Sequence, residues 1–203
     1  MSVRQVASHP ALTQALVVAR GWDLHLAVAV IAAVGAIGLL VPDLIVLPSL
    51  TSRLVALTPS GVLAAVIAAV GVLLSTREPA DVIPSTSPRR ISLWRAGRVL
   101  SLTALAVLAV ALPWPYLLVS CLTAATAAVG EGLLFARVVG PSLAWTLPVL
   151  HVTAAMLFGF RPDSTLRAWA WLLSVDPGPA HVTTSLALLV TGTVVWATGP
   201  PRV

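Results

Sequence analysis

Residues 75–98, STREPADVIPSTSPRRISLWRAGR, form the longest polar interruption in an otherwise apolar sequence. This stretch contains five of the chain's twelve basic residues, namely Arg77, Arg89, Arg90, Arg95 and Arg98. Basic residues are enriched in the cytoplasmic loops of membrane proteins. If the stretch is cytoplasmic, it therefore sets the orientation of every apolar segment before and after it.

The composition is typical of a membrane protein. Of the 203 residues, 58% are hydrophobic and 9% are charged, whereas soluble domains contain about 25% charged residues. The net charge of +5 reflects a small excess of basic residues, whereas nucleic-acid binding requires a dense basic face. We therefore expect the chain to lie in a lipid bilayer and to bind no nucleic acid. We predict an all-α fold, a polytopic membrane helical bundle of about six transmembrane helices plus an N-terminal amphipathic interfacial helix.

Six apolar segments are candidate membrane spans. They are residues 24–47, 53–75, 93–112, 117–138, 142–160 and 180–198. The third span is long enough for a bilayer of about 30 Å only if residues 93–98 belong to it, with their arginines reaching towards the headgroups.

The rest of the chain is assigned around these spans. A cytoplasmic amphipathic segment (1–22) precedes a single transmembrane domain (23–198), and a cytoplasmic tail (199–203) follows it. Within the domain we expect a cytoplasmic loop at 75–98 and an outer loop at 161–179. The outer loop mixes polar and aromatic residues, which predicts a short helix that dips into the membrane surface.

Six spans place both termini on one side of the membrane. With that topology nine arginines lie on the side of the termini and three, Arg53, Arg161 and Arg167, on the other. This bias predicts that both termini are cytoplasmic. The tryptophans agree, because all seven fall near predicted helix ends, where amphipathic rings are preferred; Trp114 is expected at the outer face and Trp196 at the inner face.

Two stripes of small residues indicate close helix packing. Gly61, Ala65 and Ala69 recur at intervals of four in the second span, and the same spacing relates the stripe in the fourth span, Ala124, Ala128 and Gly132. Small residues at this spacing let membrane helices approach each other closely.

Glu131 and His151 form a candidate intramembrane polar site. Ionisable residues inside a span are costly and mark functional positions by default. If the fourth and fifth spans run antiparallel, these two side chains differ in depth by only about 5 Å, so a hydrogen bond between them is feasible. Two interpretations stay open: a proton relay or polar lining of a substrate path, and a structural clamp between helices.

Several kinds of chemistry are excluded or unsupported by the residue types. The sequence has no lysine, which a P-loop needs at the phosphates and a Schiff base needs as its amine. The single Cys121 allows no intrachain disulfide, and neither a hydrolase motif nor a metal-ligand motif is present. We therefore predict a protein that is not an enzyme, with no catalytic residues, no cofactor and no metal.

The arginine-rich loop allows three interpretations. Its arginines can serve topology alone by resting on anionic headgroups, or they can form a docking surface for a cytoplasmic partner. A phosphorylated regulatory loop around Ser85–Ser87 is the third. For the second interpretation the candidate partner-coupling residues are Arg77, Arg89, Arg90 and Arg95.

In its layout the chain resembles the permease subunits of ABC-2-type exporters. The matching stretches are Ser8–Arg20 as a cytoplasmic amphipathic helix, Ser75–Arg98 as the first cytoplasmic loop, and Arg161–Pro179 as an outer loop folded partly into the membrane. The resemblance rests on this layout and on no diagnostic residue motif.

The resemblance implies an ATP-driven exporter in a bacterial cytoplasmic membrane. ATP hydrolysis would belong to a separate ATPase subunit, and a second permease copy or a homologue would complete the transporter. Two other readings stay open: a non-transporting membrane scaffold or assembly subunit, and a proton-coupled carrier or intramembrane enzyme that depends on Glu131 or His151.

Overall fold

The computed structural model describes residues 23–41, 44–47, 50, 56–77, 88–163 and 165–199. The predicted amphipathic segment (1–22), the middle of the polar stretch (78–87) and the chain beyond 199 lie outside the described residues.

Helices dominate the described structure. The described residues form the α-helices α1 (Leu24–Gly38), α2 (Ser60–Leu74), α3 (Pro88–Ala111), α4 (Leu118–Val139), α5 (Thr146–Phe158) and α6 (Pro179–Thr198). Short 3-10 helices occur at Pro115–Leu117, Pro141–Leu143 and Ala168–Leu173. Strands β1 (Leu44–Leu47) and β2 (Ala56–Pro59) pair antiparallel, with Leu44 opposite Pro59 and Leu47 opposite Ala56.

Four helical segments are long and apolar enough to cross a membrane. They are Ser92–Ala111, Pro115–Val139, Pro141–Phe158 and Pro179–Thr198, and they coincide closely with the last four predicted spans. The prediction of a helical bundle whose helices are compatible with a membrane in length and composition is therefore confirmed. The apolar helices α1 and α2 have 15 residues each, or about 22 Å of rise, which is shorter than a bilayer core of about 30 Å.

The first two predicted spans are only partly helical. Helix α1 starts at Leu24 but ends at Gly38, and residues 44–47 of the predicted first span form β1 instead. In the predicted second span, β2 precedes α2. Prolines account for the difference, because Pro42 and Pro59 cannot supply a helical N–H, and the apolar residues beyond them satisfy their backbone groups by pairing as strands.

Helix α4 lies at the centre of the bundle. It packs against α2, α3, α5 and α6. Both predicted small-residue stripes are buried, and the stripe of α4 lies among these contacts. Gly132 faces α2, since a Cβ there would lie 2.3 Å from Leu73 Cδ1. The predicted role of the stripes in close packing is confirmed.

Helices α4 and α6 cross with their backbones in close approach. A Cβ on Gly130 would lie 2.4 Å from the carbonyl carbon of Leu188, and a Cβ on Gly192 would lie 2.6 Å from the carbonyl oxygen of Gly130. Backbone therefore meets backbone at this crossing, with no flexible side chain that could yield. Such an approach is available only to glycine at these two positions.

Trp114, expected near the outer face, has its side chain in the core of the bundle. It is 2% exposed, and its ring lies against Gly38 at the end of α1 and Gly61 at the start of α2. The two glycines leave the space that the indole fills. The ring thereby joins the ends of three helices, which a helix-end position alone did not indicate.

We predict opposite effects from alanine at two helical glycines. Gly192→Ala should destabilise the bundle by about 1–3 kcal/mol, because its methyl group forces α4 and α6 apart. Gly97→Ala should be neutral or stabilising by up to about 1 kcal/mol, because a Cβ at Gly97 meets nothing within 4 Å and alanine favours the helix. Thermal unfolding in detergent measures both, and equal effects of the two substitutions would contradict the crossing described above.

Candidate functional site

Glu131 and His151 meet between α4 and α5. His151 Nδ1 lies 3.0 Å from Glu131 Oε1 and 3.1 Å from Oε2. Their side chains are 13% exposed for Glu131 and 20% for His151. The hydrogen bond that the antiparallel arrangement predicted is thus present.

A third group, the carbonyl of Trp169, completes the site. His151 Nε2 lies 3.1 Å from Trp169 O, and the two rings stack with centroids 6.5 Å apart. The sequence does not indicate this contact, because every residue has a backbone carbonyl and none is marked by residue type. The only signal was the aromatic outer loop, for which a short helix dipping into the membrane was expected.

A short helix is present as the 3-10 helix Ala168–Leu173, which we call the re-entrant segment; its position in the membrane surface stays a prediction. It packs against α5 and also contacts α4 and α2. Three of its side chains, Ala170, Leu172 and Leu173, are buried. Because Trp169 reaches His151, which lies two turns of helix before the end of α5, the segment folds back into the bundle.

A tight turn returns the chain to this position. Arg161 N donates to Thr165 O at 2.8 Å, and Arg167 N donates to Gly159 O at 2.7 Å. Gly159 permits the close return, since a Cβ there would lie 2.6 Å from the Cβ of Ala170. The turn therefore fixes where the re-entrant segment begins.

Asp163 stabilises the same turn from its tip. Its Oδ1 accepts hydrogen bonds from the Thr165 hydroxyl at 2.7 Å and from the Thr165 amide at 3.0 Å. These hydrogen bonds hold the pKa of Asp163 below its usual value, and the bond from the Thr165 hydroxyl has the larger effect. The carboxylate consequently stays charged, and the turn persists, in mildly acidic solution.

The partners of His151 favour its charged form. A carboxylate and a backbone carbonyl are both acceptors, and each ring nitrogen faces one of them. Neutral imidazole has one N–H, whereas imidazolium has two. The imidazolium therefore satisfies both contacts, and the Glu131 carboxylate balances its charge.

A second imidazole–indole stack holds the other side of the re-entrant segment. The rings of Trp171 and His181 lie 5.8 Å apart with an interplanar angle of 17°. His181 belongs to the first turn of α6. The segment thus carries one tryptophan against α5 and another against α6.

Two of the candidate partner-coupling arginines, Arg77 and Arg95, lie in different surroundings. Arg77 is exposed, with its Nη2 3.5 Å from Ser142 O. Arg89 and Arg90 lie in the first turn of α3. Arg95 lies one to two turns further along the same helix and is 6% exposed, so its side chain faces the bundle.

Arg95 binds the carboxyl end of α6. Its Nη1 donates to Gly199 O at 3.0 Å, and its guanidinium lies 5.8 Å from the centroid of the Trp196 ring. Arg98 lies over the same ring at 5.5 Å. Both arginines pack inwards and do not reach out to the headgroups, and a cation suits this position because the carboxyl end of a helix carries partial negative charge.

The described residues include no group of three or more His, Cys, Asp or Glu side chains that could hold a metal ion. Comparison of the chain with protein-family models, with curated proteins and with solved structures finds no match. The site must therefore be interpreted from its own geometry.

We predict strong coupling between Glu131 and His151. In a double-mutant cycle with Glu131→Ala and His151→Ala, the coupling free energy should exceed the average of about 0.6 kcal/mol for interhelical hydrogen bonds in membranes, because the pair is charged. The cycle is measured by reversible unfolding in mixed micelles. Glu131→Ala combined with Thr153→Ala, an exposed position on α5, is the control and should be additive; additivity in the first cycle would contradict the ion pair.

We also predict that Arg95 and Arg77 differ in their effect on stability. Arg95→Met should cost about 1–3 kcal/mol, because the carbonyl at the end of α6 loses its buried donor. Arg77→Met should change the free energy of unfolding by less than about 0.5 kcal/mol, since Arg77 is exposed. The same unfolding assay compares them, and a larger loss for Arg77 would contradict the assignment of Arg95 as the anchor of α6.

Proposed function

We propose that this chain is the membrane-spanning permease subunit of an ATP-driven, ABC-2-like exporter, energised by a separate ATPase subunit. In this proposal α1 to α6 all cross the membrane, the strands β1 and β2 complete the first helical hairpin at the outer surface, and both termini are cytoplasmic. A second copy or a homologue pairs with it in a bacterial cytoplasmic membrane. In this proposal ATP hydrolysis belongs to the partner, because the sequence has no lysine for a P-loop.

The observation that carries the proposal is the continuity of α3. One helix, Pro88–Ala111, includes Arg89 and Arg90 in its first turn and then enters the apolar bundle. A displacement of this first turn by a cytoplasmic partner would be passed directly to the membrane-spanning part, because a helix is stiff along its axis.

Arg95 extends this mechanical link to α6. Through its hydrogen bond to Gly199 O, a movement of α3 also pulls on the carboxyl end of α6, which packs along α4. In this proposal Arg89 and Arg90 receive the partner, whereas Arg95 transmits the movement inside the bundle. Arg77, exposed at the other end of the polar stretch, is a further partner contact.

The re-entrant segment supports the same proposal. An outer loop that folds back before the last helix is the third element of the layout on which the resemblance rests, and Ala168–Leu173 has this form.

A non-transporting scaffold is the second candidate. It is favoured by one observation, which is that both ring nitrogens of His151 are engaged within the chain, as expected of a structural clamp. A scaffold would bind partners without any dependence on nucleotide.

We predict that Arg89→Glu combined with Arg90→Glu abolishes recovery of the ATPase. The experiment is a gentle-detergent pull-down of the tagged chain from its native cells, with mass identification of the co-purifying proteins. Charge reversal should repel an acidic docking surface on the ATPase. The bundle should stay folded, because this turn precedes the apolar core.

Arg161→Glu combined with Arg167→Glu is the matched control. Both residues are exposed and lie in the outer loop, so the ATPase should still be recovered. Recovery of a nucleotide-binding ATPase with the wild type and the control, but not with Arg89→Glu/Arg90→Glu, is the result that we expect. Recovery of other membrane proteins, with no ATPase in any sample, would favour the scaffold.

A further inference from the structure

The contacts of His151 join the α-helices α4 and α5 to the re-entrant segment, which is not an α-helix. The re-entrant segment is a 3-10 helix of six residues, interrupted by non-helical backbone at Ala170 and flanked by extended residues at Arg167 and Ser174. Short 3-10 helices have poorer hydrogen-bond geometry than α-helices. Of the elements that meet at His151, this segment is therefore the one that moves at least cost.

We propose that Glu131, His151 and the Trp169 carbonyl form a proton-binding site that controls the position of the re-entrant segment. With the proton bound, imidazolium donates from Nδ1 to Glu131 and from Nε2 to Trp169 O, and the segment is held in the bundle. When the proton leaves for water, the segment is released.

Glu131 decides which of the two hydrogen bonds is lost. Neutral imidazole keeps a single N–H, and a bond to a carboxylate is roughly twice as strong as a bond to a neutral carbonyl. The remaining proton therefore stays on Nδ1. Nε2 then presents a lone pair to the lone pairs of Trp169 O. The interaction between His151 and the re-entrant segment therefore changes from attractive to repulsive.

The release uncovers apolar surface. Leu172 and Leu173 are 1% and 3% exposed, and they leave their places when Trp169 moves away from His151. The opening is limited at both ends, by the hydrogen bond from Arg167 N to Gly159 O and by that from the Ser120 hydroxyl to Val175 O. The segment thus behaves as a gate with two fixed ends.

Few other titratable groups act on this site. Among the described residues, α2, α5 and the re-entrant segment contain no ionisable side chain besides His151. Helix α4 contributes Glu131, and its Cys121 and Arg137 lie more than one turn away along the helix. At the ends of the segment, Asp163 stays charged in mild acid, and His181 contacts Trp171 and not His151.

The proposal does not rest on the exporter assignment, and its test requires neither an ATPase nor a substrate. The probe is a cysteine at Leu172 in a Cys121→Ala background, labelled with a water-soluble maleimide from about pH 5 to about pH 9, a range that covers the ionisation of histidine. A cysteine at the exposed Asp176, which precedes α6, gives the rate for an accessible thiol at each pH. The quantity measured is the ratio of the two labelling rates.

The ratio should rise about twofold to tenfold with increasing pH, the factor expected for the loss of one hydrogen bond. In the unsubstituted chain, labelling of buried Cys121 serves as a control for general loosening and should stay low. A ratio independent of pH would overturn the proposal, as would a parallel rise at Cys121.

Two variants separate the gate from a structural clamp. His151→Leu removes both donors and should give a high ratio at every pH. Glu131→Gln should give a low ratio at every pH, because the Gln amide donates to Nδ1 and leaves the proton on Nε2 for Trp169 O. A clamp would be loosened by both substitutions, so a high ratio for Glu131→Gln would overturn the proposal even if His151→Leu does not fold.

Discussion

The need to pair ionisable groups that are buried inside an apolar bundle governs this structure. A buried ionisable side chain persists only where it is paired or hydrogen-bonded, and two places among the described residues illustrate this requirement. At one, the two ring nitrogens of His151 lie within hydrogen-bond distance of the Glu131 carboxylate and of the Trp169 carbonyl. At the other, the carboxyl end of α6 accepts from Arg95. In both cases a backbone carbonyl at the edge of a helical element is the partner that ties the element to the bundle.

The close approach of α4 and α6 fixes the positions of these two polar sites relative to each other. Gly130 and Gly192 bring the backbones of the two helices into contact, and Glu131 follows Gly130 directly in the sequence. The crossing thus fixes the position of Glu131 relative to α6, while Arg95 fixes the end of α6 relative to α3. A movement of α3, received through Arg89 and Arg90 in the proposed exporter, would reach the helix that bears Glu131 through α6.

Much of the fold follows from local sequence patterns, whereas the tertiary contacts of backbone groups do not. Hydropathy gave the bounds of α3 to α6 closely, and helical rise gave the shared depth of Glu131 and His151. Hydropathy could not distinguish a strand from a helix at residues 44–47, because an apolar segment is compatible with either structure. The inward direction of Arg95, the burial of Trp114 between Gly38 and Gly61, and the return of Trp169 O to His151 all depend on which helices are neighbours, which no single segment reveals.

The central claim is that His151 donates from both ring nitrogens, and nitrogen NMR of the histidine-labelled protein in bilayers tests it most directly. Comparison with His151→Gln assigns the signals, since three other histidines are present. At mildly acidic pH we expect the Nδ1 and Nε2 signals of His151 to show both nitrogens bonded to hydrogen, with Nε2 alone losing its proton as the pH rises. An unprotonated Nδ1 at any of these pH values would contradict the account, because Glu131 would then lack its donor.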